Sequence, residues 1–345
     1  MARGLAIVGM ISVHVAPTLG GEGGWYAVPY GRASTLFALV AGVGIVLASR
    51  RGTHTANVSR LLWRAAWLAP LGVLLGALGT PVAVILQYYA LWFVLATPLL
   101  RTSTRTLAWI TGVGILIGPT VLVWSHVAYP GWYAPGRGVW LGELGDVLLT
   151  GYYPTVSWIW LVTLGMIVAR LDLTDRTIQQ LLLVAGSATA VAGYALGAAY
   201  RTSMQTRFQM GEWDRLIDTT GHADGPLEQV AVAGLAVAVL ALCLIIGDVA
   251  APAVAPIIAL GRFALTVYVG HILVYAAVPD AIRSQTQIEG ALTTLTISGI
   301  SSVLALAWLA VLPRGPLEAM DRAGHQRVIL PTLRAFGLGT EQERL

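Results

Sequence analysis

Lysine is absent from this sequence of 345 residues, and charged residues make up only 11% of it. All 21 basic residues are therefore arginines, so the chain has no lysine nucleophile. The single cysteine, Cys243, lies in an apolar run, which excludes cysteine-rich metal sites and disulfides within the chain and favours a small buried side chain. The formal net charge of +4 is too small to indicate nucleic-acid binding.

Motifs for several kinds of chemistry are also missing. The chain has no glycine-rich phosphate loop, no metal-binding motif and no nucleophile elbow. Nucleotide hydrolysis and zinc chemistry therefore have no support, and we predict neither a metal site nor a permanently bound cofactor. A signal peptide is disfavoured, because the first apolar run contains His14 and no convincing small-residue cleavage pattern follows it.

Long apolar runs dominate what is present. Hydrophobic residues make up 56% of the chain and the mean hydropathy is +0.72, well above the need of a soluble core. We predict an all-α, polytopic membrane bundle of about ten transmembrane helices, each able to cross a hydrocarbon layer of about 30 Å. The predicted spans are Gly4–Leu19, Ala33–Ser49, Ala65–Leu78, Pro81–Leu100, Leu107–Trp124, Tyr153–Val168, Ile178–Leu196, Val230–Ile246, Pro256–Val278 and Leu292–Leu312. Residues 1–313 form the predicted transmembrane domain, and residues 314–345 a cytoplasmic or interfacial tail.

Arginine-rich connectors orient the predicted bundle. They follow the second, fourth and sixth apolar runs and contain Arg50, Arg51, Arg60, Arg64, Arg101, Arg105, Arg170 and Arg176. Short connectors of this kind stay on the cytoplasmic side of a membrane. We therefore predict cytoplasmic amino and carboxyl ends. The all-arginine composition favours a GC-rich bacterial source and hence the bacterial inner (plasma) membrane.

The first apolar run carries an arginine and a histidine, Arg3 and His14, eleven positions apart. Eleven steps of about 100° return to nearly the same helix face. His14 would lie roughly 16 Å deeper than Arg3, where an ionisable group needs a protein or water-filled environment. His14 is a candidate general base, and the alternative is a structural hydrogen bond to a neighbouring carbonyl.

Other polar residues in the apolar runs fall into two groups. Arg60 and Arg64 share a helix face. They form a basic rim suited to a polyphosphate ligand together with Arg3, Arg50 and Arg51. The alternative is that these arginines only set the membrane topology and bind lipid headgroups. Residues predicted to line the cavity are Arg32, Gln87, Tyr88, Arg262 and His271, with hydrogen bonding between helices as the alternative for Gln87 and Tyr88. His271 lies on the helix face opposite Arg262, and a structural hydrogen bond is its favoured role. The remaining histidines, His54, His126, His222 and His325, are predicted to be solvated in loops.

Aromatic residues cluster in the predicted outer loops and at their edges, including Trp25, Tyr26, Tyr30, Trp132, Tyr133, Trp140, Tyr152 and Tyr153. Tyrosine and tryptophan are enriched at membrane interfaces, so anchoring explains many of these residues. The alternative interpretation is a stacking surface for a sugar-like acceptor.

Several short segments together resemble a known group of membrane proteins. They are Arg3 to His14, Gly31 to Gly42, Ile85 to Trp92, Thr150 to Trp158, Gly261 to Tyr268 and Arg314 to Glu318. In this order they resemble the membrane acyltransferase superfamily, which includes heparan-alpha-glucosaminide N-acetyltransferases, bacterial type-three acyltransferases and YeiB-like membrane proteins. The resemblance covers nearly the whole chain.

The resemblance implies transfer of an acyl group, often acetyl, from cytoplasmic acyl-CoA to a glycan or lipid-linked acceptor outside. His14 would be the catalytic residue, and Arg3, Arg60 and Arg64 would bind the donor. Gln87 or Arg262 would stabilise the developing oxyanion. Whether His14 acts only as a base or also becomes acylated is left open, as is a homodimer. The alternative functions are a membrane transporter or flippase and a non-catalytic membrane subunit.

Overall fold

A computed structural model describes residues 1–16, 24–50, 52–133, 142–205, 211–250 and 252–335, and all regular structure in these ranges is helical. The α-helices are α1 Ala2–Val15, α2 Arg32–Ser49, α3 His54–Gly76, α4 Leu86–Ala96, α5 Thr104–Ala128, α6 Glu143–Gly145, α7 Thr155–Val168, α8 Arg176–Gln205, α9 Pro226–Ala250, α10 Ala255–Arg262, α11 Ala264–Ala277, α12 Pro279–Ile282, α13 Gln287–Val311, α14 Pro316–Gly324 and α15 Leu330–Ala335. The predicted all-α class is confirmed.

Six of the helical segments in the described residues are long and apolar enough to cross a membrane. They are Trp25–Ser49, His54–Gly76, Thr104–Ala128, Arg176–Ser203, Pro226–Gly247 and Gln287–Val311. Helices α1, α4 and α7 are apolar but shorter, and α10 and α11 form one bent pair. The chain is thus an integral membrane protein of at least six candidate spans, while ten spans and cytoplasmic ends stay predictions.

The ninth predicted span, Pro256–Val278, is wrong as a continuous helix, because α10 and α11 meet at an angle of 83°. The break lies at Phe263, whose backbone leaves the helical region (φ −105°, ψ 17°). The amide groups freed at the start of α11 are satisfied from the tail. The Glu318 carboxylate accepts hydrogen bonds from the N–H groups of Leu265 (2.8 Å) and Thr266 (3.2 Å). A carboxylate at a helix amino end also matches the helix dipole.

The fourth predicted span also begins later than expected, at Leu86 instead of Pro81. Pro81 restricts the residue before it to extended conformations, which separates α4 from α3. The chain stays non-helical through Val84. The Ile85 N–H group then donates to the hydroxyl oxygen of Tyr268 at 3.0 Å, so a side chain from α11 caps the start of α4.

The chain divides into two compact units. The first contains Met1–Pro29, Gly44–Arg101 and Ala250–Leu345, and the second contains Tyr30–Val43 and Thr102–Val249. The predicted boundary at residue 314 therefore falls inside the first unit. Glycines allow helix backbones to touch within each unit. A Cβ on Gly4 would lie 1.9 Å from the Ile257 carbonyl oxygen in the first unit, and one on Gly165 2.0 Å from the Leu39 oxygen in the second.

Candidate functional site

Two histidines meet in the first unit. His14 lies near the end of α1 and His271 in the middle of α11, 257 positions apart in the chain. Nδ1 of His14 lies 2.9 Å from Nε2 of His271, and the two rings are parallel to within 6°. His271 is only 6% exposed. The helical prediction for Arg3 through His14 is confirmed, and His271 makes a hydrogen bond, but the pairing itself was not predicted.

The hydrogen bonds define which nitrogen of each neutral ring carries the proton. Nδ1 of His271 lies 3.0 Å from the Val267 carbonyl oxygen, and because a carbonyl can only accept, this nitrogen must carry a proton. Nε2 of His271 is then an acceptor, so Nδ1 of His14 must donate to it. Nε2 of His14 is left with a lone pair, and no described residue bonds to it. This nitrogen has the form that a general base requires.

Arg3 extends from the other end of α1 toward α2 and the tail. Its Nη2 would lie 3.3 Å from a Cβ placed on Gly44, so glycine at that position makes room for the guanidinium. Arg64 and Glu318 are among the charged groups that act on it. Arg3 therefore belongs to the same group of charges as one of the two predicted donor-binding arginines of α3.

The two arginines of α3 already have partners within the first unit. Arg60 donates to the Ala48 carbonyl oxygen at 3.1 Å. Arg64 forms an ion pair with Asp321 at 3.4 Å and lies over the ring of Phe93. The Arg64 side chain nevertheless stays 40% exposed, so donors remain accessible to an anion. Arg51, the other arginine predicted for this rim beside Arg50, lies outside the described residues.

The tail docks along α3 rather than standing free. Trp63 Nε1 donates to the Asp321 carbonyl oxygen at 2.8 Å, and Ser59 Oγ lies 3.0 Å from Nε2 of His325. The prediction that His325 is solvated is wrong, since it is 4% exposed at this contact. Burial lowers the pKa of His325. Burial also raises the pKa of Asp321, and Arg64 opposes part of that rise.

The other residues predicted to line the cavity are dispersed. Arg262 donates to the Pro313 carbonyl oxygen at 2.9 Å, and the bend at Phe263 invalidates the prediction that it faces away from His271 along one helix. On α4, Tyr88 is buried and Gln87 half-buried. Arg32 belongs to the second unit, where its Nε donates to the Tyr194 hydroxyl at 2.8 Å.

An apolar groove of about 800 Å³ opens beside His271 in the first unit. Its walls come from α11 and α13, and besides His271 they include Val267, Val274, Ile297, Leu304 and Trp308. Helix α13 exposes many of its apolar side chains, including Leu295, Ile300 and Val303. In a membrane this groove suits a hydrocarbon chain.

A second cluster surrounds His222 in the second unit; its tyrosines were among the predicted outer-loop aromatics, but the participation of His222 and Asp224 was not predicted. The prediction that His222 is solvated is wrong: it is half-buried beside Tyr30, Tyr153 and Trp158. Burial lowers the pKa of His222, and the nearby Asp224 carboxylate opposes this. Burial raises the pKa of Asp224, which His222 in turn opposes. The prediction that His126 and His54 lie in loops is also wrong: His126 lies in α5 and stacks on Tyr133, and His54 is the first residue of α3.

A sequence signal for this second cluster exists. Residues 221–226 read Gly-His-Ala-Asp-Gly-Pro, so glycines flank the histidine and aspartate directly before an apolar run. A Cβ on Gly225 would lie 1.6 Å from the Arg215 carbonyl oxygen, and one on Gly221 2.6 Å from Cδ1 of Tyr30. Two glycines without space for a side chain indicate a closely packed loop rather than a solvated connector.

The arrangement of helices and buried polar groups defines a helical integral membrane protein. Residues 172–327, less than half of the chain, match the model of the DUF418 family, which is described as a protein of unknown function. The matched region includes His222, His271, Glu318 and Asp321 but not His14. None of the curated proteins matches the sequence. Among the described residues, no group of three His, Cys, Asp or Glu side chains could hold a metal ion.

Proposed function

We propose that this protein is a membrane acyltransferase that moves an acyl group, acetyl in the simplest case, from acyl-CoA to a hydroxyl or amine of a glycan or lipid-linked acceptor. The observation that supports this proposal is the series of hydrogen bonds from the Val267 carbonyl through His271 to His14, which for neutral rings leaves Nε2 of His14 as a base. The resemblance of the first helix to acyltransferases supports the same residue.

The proposed reaction needs one base and one leaving group. Nε2 of His14 accepts the proton of the acceptor hydroxyl while its oxygen attacks the thioester carbonyl carbon. The carbon–sulfur bond then breaks, and the CoA thiolate leaves with the proton that His14 has taken. The ester and free CoA are the products. His271 positions His14 throughout, because its Nε2 accepts a hydrogen bond from Nδ1–H of His14 and keeps that ring in the reactive tautomer.

The donor would bind through the arginines at the end of the first unit where the tail docks. Arg3, Arg60 and Arg64 supply planar guanidinium groups, which suit the phosphates of coenzyme A. In this proposal that end faces the cytoplasm, where acyl-CoA is made, and the acceptor reaches the protein from the other side of the membrane. The groove beside His271 would take the acyl chain of the donor or the lipid of the acceptor.

Release of the CoA thiol tests the proposal. Purified protein in nanodiscs should release the thiol from acetyl-CoA when an envelope glycan fraction is added, and His14→Gln should lose about 10²- to 10⁴-fold in rate while it still binds CoA. Glutamine keeps a hydrogen-bonding side chain but cannot take up a proton. A transporter or a non-catalytic subunit would release no thiol, and full activity of His14→Gln would assign this histidine a structural role.

A further inference from the structure

The loop that carries His222 and Asp224 is held in an unusual conformation. Both residues have positive φ angles, 61° and 56°, which residues other than glycine rarely adopt. The buried carboxylate of Glu228 secures them, since it accepts the N–H groups of His222 at 3.0 Å and Asp224 at 2.7 Å. The Glu228 carboxylate therefore holds the loop in this conformation.

Aromatic rings surround the imidazole of His222, and we call this cluster of side chains the His222 mouth. Its rim is formed by Tyr30 and Tyr152, which are 38% and 61% exposed and whose ring centroids lie 4.8 and 6.4 Å from that of His222. Its floor is formed by Tyr153 and Trp158, which are 5% and 3% exposed. The half-buried imidazole of His222 thus lies beside two tyrosines that are partly exposed.

His222 and Asp224 have hydrogen-bonding capacity that the described residues do not use. No described residue forms a hydrogen bond with a ring nitrogen of His222. Asp224 accepts one hydrogen bond, from Trp158 Nε1 at 3.3 Å, on one of its two carboxylate oxygens. A neutral imidazole offers one donor and one acceptor, and a carboxylate oxygen offers acceptors. Polar groups at a fixed spacing between aromatic faces are typical of a small-molecule site.

We infer that the His222 mouth binds a neutral pyranose unit of a glycan. The partly exposed rings of Tyr30 and Tyr152 suit the apolar C–H face of the sugar ring, and His222 and Asp224 suit its hydroxyl groups. Burial raises the pKa of Asp224 and so favours its uncharged form, which suits a ligand without charge. This assignment rests on the proposed function in that it gives the acceptor a chemical class. Sugar binding can be measured in the absence of acyl-CoA, so it is tested independently of acyl transfer.

Saturation-transfer difference NMR tests this assignment on the full chain in nanodiscs, with maltotriose and chitotriose as probes. Maltoside detergents are avoided because their headgroup is itself a sugar. We expect saturation transfer from the protein to the C–H protons of at least one trisaccharide and a dissociation constant on the order of 1 mM. Tyr152→Ala and His222→Ala should each raise that constant by about tenfold.

Two variants separate recognition from folding. Tyr152→Phe keeps the aromatic face and should bind within about twofold of the unaltered chain. His126→Ala removes another half-buried histidine of the second unit, one that stacks on Tyr133 instead, and should leave sugar binding unchanged. The assignment would be overturned if neither trisaccharide showed saturation transfer, if Tyr152→Ala and His222→Ala bound the sugar as tightly as the unaltered chain, or if tetramethylammonium displaced the sugar.

Discussion

The two units of the chain use buried histidines in opposite ways. In the first unit, His14 and His271 bond to each other and to a backbone carbonyl, so Nε2 of His14 is the ring nitrogen of the pair that bonds to no described residue. In the second unit, His222 bonds to no described residue through its ring and lies between exposed tyrosines. The hydrogen bonds of the pair fix the tautomers of its two rings. The ring of His222, which bonds to no described residue, can instead offer its hydrogen bonds to a ligand. The first arrangement suits chemistry and the second suits recognition.

The strongest expected effect comes from His271→Phe, which keeps an aromatic ring but removes the acceptor for the Nδ1 proton of His14. The His14 ring is then free to rotate and to change tautomer, and misplacement of a catalytic group by about 1 Å costs on the order of 10²-fold in rate. Thiol release from acetyl-CoA measures the loss. Trisaccharide binding at the His222 mouth should not change; if it falls equally, the variant has damaged the whole fold and the contrast between units fails.

Arg64→Ala should weaken donor binding. Charge-assisted hydrogen bonds contribute about 1.5–3 kcal/mol when well formed, and partial exposure of the Arg64 side chain reduces this, so we expect a rise of about tenfold in the dissociation constant for CoA. Titration calorimetry with CoA provides the measurement. Arg101→Ala, an exposed arginine in another connector, serves as the control. Unchanged CoA affinity in Arg64→Ala would return this residue to a topological role.

Glu318→Gln should destabilise the first unit selectively. Besides the two amides of α11, Glu318 accepts a 2.6 Å hydrogen bond from the Thr266 hydroxyl, and removal of its charge should cost about 1–3 kcal/mol. The midpoint of thermal unfolding and thiol release should both fall, because α11 carries His271. Glu289→Gln alters a local cap at the exposed start of α13 and should have the smaller effect. Equal effects of the two variants would show that the tail does not stabilise the bend.

Asp321→Asn should have the smallest effect, in the opposite direction from Arg64→Ala. Asp321 pairs with Arg64 at 3.4 Å, so it competes with an anionic donor for the same guanidinium. Partly exposed ion pairs contribute about 0–1 kcal/mol, which corresponds to a gain in CoA affinity of up to about fivefold. The same calorimetric titration measures it. Weaker CoA binding in Asp321→Asn would mean that the ion pair orients Arg64 for the donor instead of competing with it.

Local pattern was sufficient to predict much of the fold. Apolar runs identified each long helix of the described residues, although α3 begins at His54 and not at the predicted Ala65, and the spacing of Arg3 and His14 placed both on α1. Capping from distant residues was not predictable in this way. The bend at Phe263 depends on Glu318, 53 positions from the amide that it caps at Leu265, and the late start of α4 depends on Tyr268. A hydropathy pattern contains no information about such partners.

The candidate site was predictable only in its parts. Depth in an apolar run singled out His14 and His271, but their pairing joins helices at opposite ends of the chain. His222 was assigned to solvent because its loop contains charged and polar residues. Its burial results from Glu228 and the surrounding aromatic rings, which the fold brings together from separate segments. The short segment of glycines around His222 was the available signal.

The protonation state of His14 tests the account most directly. In protein labelled with ¹⁵N-histidine and embedded in lipid, solid-state NMR distinguishes protonated from unprotonated ring nitrogens, and comparison with His14→Gln assigns the signals. We predict that Nδ1 of His14 carries the proton at neutral pH, that its Nε2 does not, and that His271→Phe abolishes this preference. A protonated Nε2 on His14 would leave no base at this position and would contradict the proposed role.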